Sequence, residues 1–310
     1  MSIETNALIL HHYELSPYCR KIRTLLGYVD LPWQSVTIDA VPPRPKLLPL
    51  TGGYRKTPVL QIGADVFCDT HTMVYEIAGV AARDELLPES LSDEALALMQ
   101  KAEDELFLAC GIAGMSGRML ATMFLSLSPV GFFRLVKDRL VMGKNSSISA
   151  PGVRESREML GQHVQELEQR LRQDFLFGDT PGLADFAVYP ALLMARNGKR
   201  ALFRGYPKTL AWLERMENFG TGQPVAMSAD DALTVAFNSQ PRPIASEYQT
   251  GVSIGQRVEI APTDYAKDST QGILVGKTAY SWIIAREHEA VGQVHVHFPQ
   301  RGYALTDIIE

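Results

Sequence analysis

The chain has 310 residues, of which 46% are hydrophobic and 21% charged, with a formal net charge of −5. These proportions can fill cores and keep a surface hydrated, which excludes a disordered or fibrous protein, and the length implies two or three domains rather than one core. The acidic balance gives no electrostatic reason to expect a nucleic acid or an anionic membrane as partner.

Residues 7–10 read as a short apolar strand. Ser16 and Pro17 then mark a helix start: serine is a good N-cap, and proline suits a first turn whose N–H groups have no partner. Ile22, Leu25, Leu26 and Val29 repeat at helical spacing, with Gly27 and Pro32 bracketing the end. A second strand is expected at 35–38, and a loop carries Pro42, Pro43, Pro45 and Pro49. A third strand follows at 58–62, and residues 66–68 pair back on it after the turn Gly63-Ala64-Asp65. Asp69 and Thr70 open another helix through Met73, Val74 and Ile77. The order is β-α-β, loop, β-β-α.

From 91 to 222 the pattern is long and helical, with charge on one face and Leu, Met and Val on the other. Asp185 stands where it can accept the backbone N–H groups of a helix start at Gly182-Leu183-Ala184. After a short helical stretch around 230–237 and the linker QPRPIASE, strand candidates fall at 257–260, 272–275, 282–286, 293–298 and 303–306. Five short, closely spaced strands suggest a small barrel-like unit that closes its own edges. The expected divisions are 1–88, 91–222, a linker at 223–246, and 247–310.

Cys19, Cys68 and Cys110 are odd in number and widely spaced, so they make neither a disulfide framework nor a zinc set, as fits a reducing cytoplasm. The opening MSIETNALILHHYE places an acid before a short apolar run, so no signal peptide is expected, and no apolar stretch approaches the ~18 residues of a spanning helix. His295 and His297 alternate on one strand near His288 and Glu289, but supply only two ligands and no defined third, so no metal site is expected.

The run Ser16-Pro17-Tyr18-Cys19-Arg20-Lys21, the turn Lys56-Thr57-Pro58-Val59-Leu60 and the pair Asp69-Thr70 fall in an order that resembles the cytosolic glutathione S-transferases over roughly residues 7–222. The resemblance implies an α/β thioredoxin-like domain, an all-α helical domain and, outside the family boundary, the small all-β barrel-like tail. It also implies glutathione as co-substrate, a small apolar electrophile as second substrate, and a homodimer.

A thiol at neutral pH is mostly protonated while the thiolate is the nucleophile, so the site must favour the anion. Ser16, at a helix N-terminus, can donate to the sulfur where the helix end already favours negative charge. The alternative is that Ser16 only caps the helix. Tyr13, near the end of the first strand, is the rival donor. Cys19 is expected to pack rather than react.

By resemblance, Thr57-Pro58 is the family's cis-proline turn, Val59 pairs with the peptide part of glutathione, and Asp69 with Thr70 holds the glutamyl end. Lys56, and more loosely Arg20, meets the glycine carboxylate. Met115, Met119, Met123 and Phe124 are candidates for the electrophile cleft, against a reading of them as plain core. The expected function is conjugation of glutathione to an apolar electrophile. The alternatives are a non-catalytic glutathione-binding scaffold whose tail recruits a partner, and a glutathione-dependent isomerase or dehalogenase. The tail itself is expected to pack on the helical domain or on a dimer partner.

Overall fold

The computed structural model describes residues 6–144 and 146–308, so the expectations placed on residues 1–5 and on Glu310 lie outside it. Strand β1 (Ile9–His12) leads to α1 (Pro17–Val29), β2 (Pro32–Thr37), the single turn α2 (Leu48–Thr51), β3 (Val59–Ile62), β4 (Asp65–Cys68) and α3 (Thr70–Ala81). β1 lies parallel to β2 and antiparallel to β3, which pairs antiparallel with β4. This is the expected thioredoxin-like unit. Period-two alternation sorts its strands: Leu60 and Phe67 face α1, α3 and the helical core, while Val59, Val66 and Cys68 face the opposite core.

The helical domain runs α4 (Asp93–Lys101), a π-helical turn at Ala102–Leu106, α5 (Phe107–Gly114), α6 (Gly117–Ser126), α7 (Pro129–Lys144), α8 (Val153–Arg170), α9 (Leu183–Gly198) and α10 (Pro207–Asn218). Helix α9 is its buried centre. Its start is fixed by Asp185, which accepts from the N–H groups of Gly182 and Leu176, both at 3.0 Å, and from Trp212 Nε1 at 2.8 Å. Gly182 has no side chain to cap with, so the carboxylate carries that end, as expected. No single helix among the described residues is long and apolar enough to cross a membrane.

The stretch expected as a linker is structured. β5 (Gln223–Ala226) adds parallel to β2 at the sheet's edge, and α11 (Ala229–Phe237) lays Ala232 and Val235 against Ile9 and Val36. Beyond it come β6 (Arg257–Pro262), β7 (Thr270–Lys277), β8 (Ser281–His288), β9 (Gly292–Pro299) and β10 (Tyr303–Asp307). All five tail strands are where the sequence places them. They do not close on themselves, however: β9 pairs parallel with β4, giving one ten-stranded sheet in the order β10-β6-β7-β8-β9-β4-β3-β1-β2-β5.

The tail therefore joins chiefly to the first domain, with smaller polar contacts to the helical one through Ser147 and Asp104. Its edge problem is solved by docking onto β4, and Val258, Leu274, Ile284 and Val296 share a core with Val59, Val66 and Leu233. Polar groups lock this seam. Asp65 Oδ1 is hydrogen-bonded to His297 Nε2 at 2.8 Å, and Asp65 Oδ2 accepts from the Arg242 backbone at 2.9 Å. The His297 ring stacks on Phe67 with centroids 4.4 Å apart. Burial alone would raise the Asp65 pKa, but His297 and Arg242 outweigh it and hold the carboxyl low. Asp65→Ala, which strands both partners, is expected to cost roughly 1–3 kcal/mol in urea unfolding and to speed amide exchange in β9 more than in α9. Equal effects on both elements would mean that Asp65 is not the seam's tie.

Candidate functional site

The site is built where α1, the turn before β3 and the start of α3 converge. Ser16 is the N-cap of α1; its Oγ accepts from the Cys19 backbone N–H at 3.3 Å. A hydroxyl that accepts this bond keeps its own hydrogen to donate. The residue is 4% exposed, at the positive end of a thirteen-residue helix. Cys19 is fully buried, and burial pushes its thiol pKa up against a smaller lowering by Ser16, so it is a packing residue in this arrangement. Tyr13 sits between β1 and α1, but its hydroxyl accepts from Arg139 Nη2 of α7 at 3.2 Å. His11 and His12 belong to β1; His11 bonds Gln61 at 2.9 Å, and burial takes its pKa down to about 4.

The Thr57–Pro58 peptide bond is cis, as is Pro42–Pro43. Val59 begins β3 with β1 on one flank and β4 on the other, opposite His11 and Cys68. A residue paired on both sides has no edge to offer a ligand, which corrects the expectation for Val59. Thr57, outside the strand, has the open backbone. Asp69 caps α3 with φ of 77°, a strained left-handed value for a residue with a side chain. Its carboxylate accepts from the His71 backbone N–H at 3.1 Å and from His71 Nδ1 at 2.9 Å. Thr70 Oγ1 accepts from Lys21 Nζ at 3.3 Å.

Behind Asp69 lies a buried chain of charges absent from the sequence reading. Glu103, in the π-helical turn, accepts from Lys21 Nζ at 2.7 Å and from His71 Nε2 at 3.1 Å. The π-turn moves Glu103 off the register of α4 and α5 and aims it at the first domain. Burial penalises the charges of Asp69, His71 and Glu103. Even so, His71 holds Asp69 well below the usual carboxylate range, Lys21 and His71 do the same for Glu103, and Glu103 and Asp69 push His71 up to about 10. Little in the sequence marks His71 or Glu103, since each is one polar residue among helical neighbours.

The tail supplies the remaining walls. Lys56 Nζ meets both oxygens of Asp264, at 2.7 and 2.9 Å, and lies 4.2 Å from the ring centroid of Tyr265 and 5.5 Å from that of Tyr303. The Tyr303 hydroxyl donates to Asp69 Oδ2 at 3.0 Å. Burial, then the carboxylates of Asp264 and Asp69, push the Tyr265 phenol well above its ordinary value, so it stays neutral. Arg20 lies apart, against Tyr189 of α9. Met119 and Met123 are half-buried, and Met115 and Phe124 are exposed by 46% and 41%, so the plain-core reading of these four does not hold.

Comparison with known proteins identifies the family of the fold. The glutathione S-transferase N-terminal domain model matches residues 10–82 and the C-terminal domain model residues 127–219. No curated protein matches the chain. A GST-like protein from Pseudomonas syringae is 30% identical over 98% of this chain and 100% of its own, with a TM-score of 0.80, so the likeness includes the tail. Human glutathione transferase theta-2, solved as a complex with glutathione and an unknown ligand, is 20% identical over 69% of this chain and 82% of its own, with a TM-score of 0.48. On the domain matches and the full-length relative, this chain belongs to the glutathione S-transferase family and carries five additional C-terminal strands.

Proposed function

We propose that the protein binds glutathione and uses Ser16 to hold its thiolate for attack on a small apolar electrophile. The observation that carries this reading is the Ser16 hydroxyl at the N-terminus of α1, beside an open backbone at Thr57 and a second helix start at Asp69-Thr70. In this arrangement the cysteine backbone of glutathione adds to Thr57. Its glutamyl carboxylate lies on the α3 N-terminus with Thr70, and its ammonium meets Asp69. Lys56 lies toward the glycine end. The sulfur then falls at the Ser16 hydroxyl, and proton loss leaves an anion held by that hydrogen bond and by the helix end.

Met115, Met119, Met123 and Phe124, with Phe132 against Phe124 at 5.5 Å between ring centroids, supply apolar surface for the electrophile. A cytoplasmic homodimer acting in detoxification fits this chemistry. Domain limits at about 88, 222 and 246 remain part of the proposal, with 223–246 folded onto the first domain.

One observation favours the scaffold reading: the tail already contacts both Lys56 and Asp69. Calorimetric titration with glutathione, followed by turnover of a panel of aryl halides, epoxides and enals, separates the two. Binding with conjugation supports the enzyme. Binding without turnover of any member sinks it and leaves a glutathione-binding scaffold.

A further inference from the structure

Lys56 is the cation assigned above to the glycine end of glutathione, yet its ammonium is already paired. Asp264 presents both carboxylate oxygens to it, and the Lys56 side chain is only 12% exposed under Tyr265 and Tyr303. The pairing is held from several directions. Asp264 O accepts from the Ser147 backbone N–H at 2.8 Å, Thr263 N–H donates to Gly302 O at 3.0 Å, and the next residues reach Arg55 through Asp268 and Ser147 through Lys267. Ala266 takes a φ of 50°, a value that a residue with a Cβ adopts only where its surroundings impose it. The segment 263–268, between β6 and β7, is thus a shaped wall of the site, built by the strands this chain carries beyond the two family domains. The Asp264 side chain is 33% exposed, so part of the carboxylate remains open to solvent.

A ligand carboxylate arriving here meets a carboxylate. It must displace Asp264 or lie beside it, and like charges in a half-buried site are unfavourable by either route. An amide at the same position meets no such conflict, because its N–H can donate to a carboxylate oxygen of Asp264.

We infer that Asp264 is a specificity-determining residue which selects, at the glycine end, a glutathione whose carboxylate is capped as an amide over glutathione with its free carboxylate. The inference rests on the glutathione reading above. At the γ-glutamyl end nothing changes: Asp69 and Thr70 hold the ligand as before.

The test is calorimetric titration of the full chain and of Asp264→Asn with two probes, glutathione and its glycinamide analogue. The wild type should bind the amide about tenfold more tightly, equivalent to about 1.4 kcal/mol. In Asp264→Asn, which frees the Lys56 charge, the preference should reverse toward the free acid. The urea midpoint of the variant, measured alongside, shows that it is folded, so the ratio of the two affinities isolates the Asp264 effect. Equal ratios in wild type and variant, with glutathione still bound, would overturn the role of Asp264 while leaving the glutathione site standing. No binding of either probe by either protein would overturn the glutathione reading and the selectivity with it.

Discussion

Ser16→Ala is expected to lower kcat/KM for glutathione conjugation roughly a hundredfold, while the dissociation constant for glutathione changes little. In the proposed complex the hydroxyl meets the ligand at the sulfur alone, and the peptide is held elsewhere, at Thr57, Asp69, Thr70 and the tail wall. Loss of the donor therefore falls on the anion, not on the bound thiol. The pH profile carries the sign: without its hydrogen bond the bound thiolate is less favoured, its pKa rises toward the ordinary thiol value near 8.5, and the rate climbs at higher pH than in the wild type. A second, smaller cost is separable, because Ser16 also caps α1 through the Cys19 N–H, and alanine there costs about 1 kcal/mol of stability. Tyr13→Phe is the control. Its hydroxyl is turned to Arg139, so it should leave the profile near wild type. If the tyrosine variant shows the acid-limb shift and the serine variant does not, the roles are exchanged.

Much of this was legible in the chain because local signals and tertiary needs agree at the same residues. Ser16-Pro17 is a helix start in both the sequence and the structure, and Asp69-Thr70 is a cap in both; these are also the residues to which the proposed function gives the thiol and the glutamyl end. All five tail strands could be placed from alternation and turns. Their partner could not, since strand pattern reports which faces are covered and not which edge is joined. One clue was present. Asp65, Val66, Phe67 and Cys68 are all buried, whereas a strand left at an open edge is usually protected by charge or proline; the sole charge here, Asp65, is spent on His297 and Arg242. A hairpin strand apolar in all but Asp65 therefore signals a further strand beyond it. The misassigned Val59 has a related cause. The turn pattern locates the proline, but only the sheet order reveals that the next residue is enclosed on both flanks. Glu103 was least accessible of all, because its direction depends on one π-helical turn inside an otherwise ordinary helical pattern.

His71→Ala is expected to destabilise the protein by about 3 kcal/mol, because it leaves the buried Asp69 and Glu103 carboxylates without the cation between them. The cost falls on the junction of the two family domains, as Glu103 comes from the helical domain and His71 and Lys21 from the first. The pH dependence follows from the shifts. His71 is raised from 6.5 to about 10, so its contribution is fully present below pH 6.5 and is lost progressively as pH rises toward 10. Asp69 and Glu103 are depressed from 3.8 and 4.5, so their contribution is present above about pH 4.5 and is lost on acidification below it. The wild type should therefore be most stable between about pH 4.5 and 6.5 in so far as this cluster governs it, with a falling limb on the alkaline side. Urea midpoints measured from pH 5 to 10 on wild type and variant test this directly. The alanine variant should lose most at pH 6 and approach the wild type near pH 10, where about half of the wild-type imidazole has itself given up its proton. A constant gap across that range would show that His71 acts through packing and not through its charge, and Lys21 would then be the only cation acting on Glu103 within this cluster.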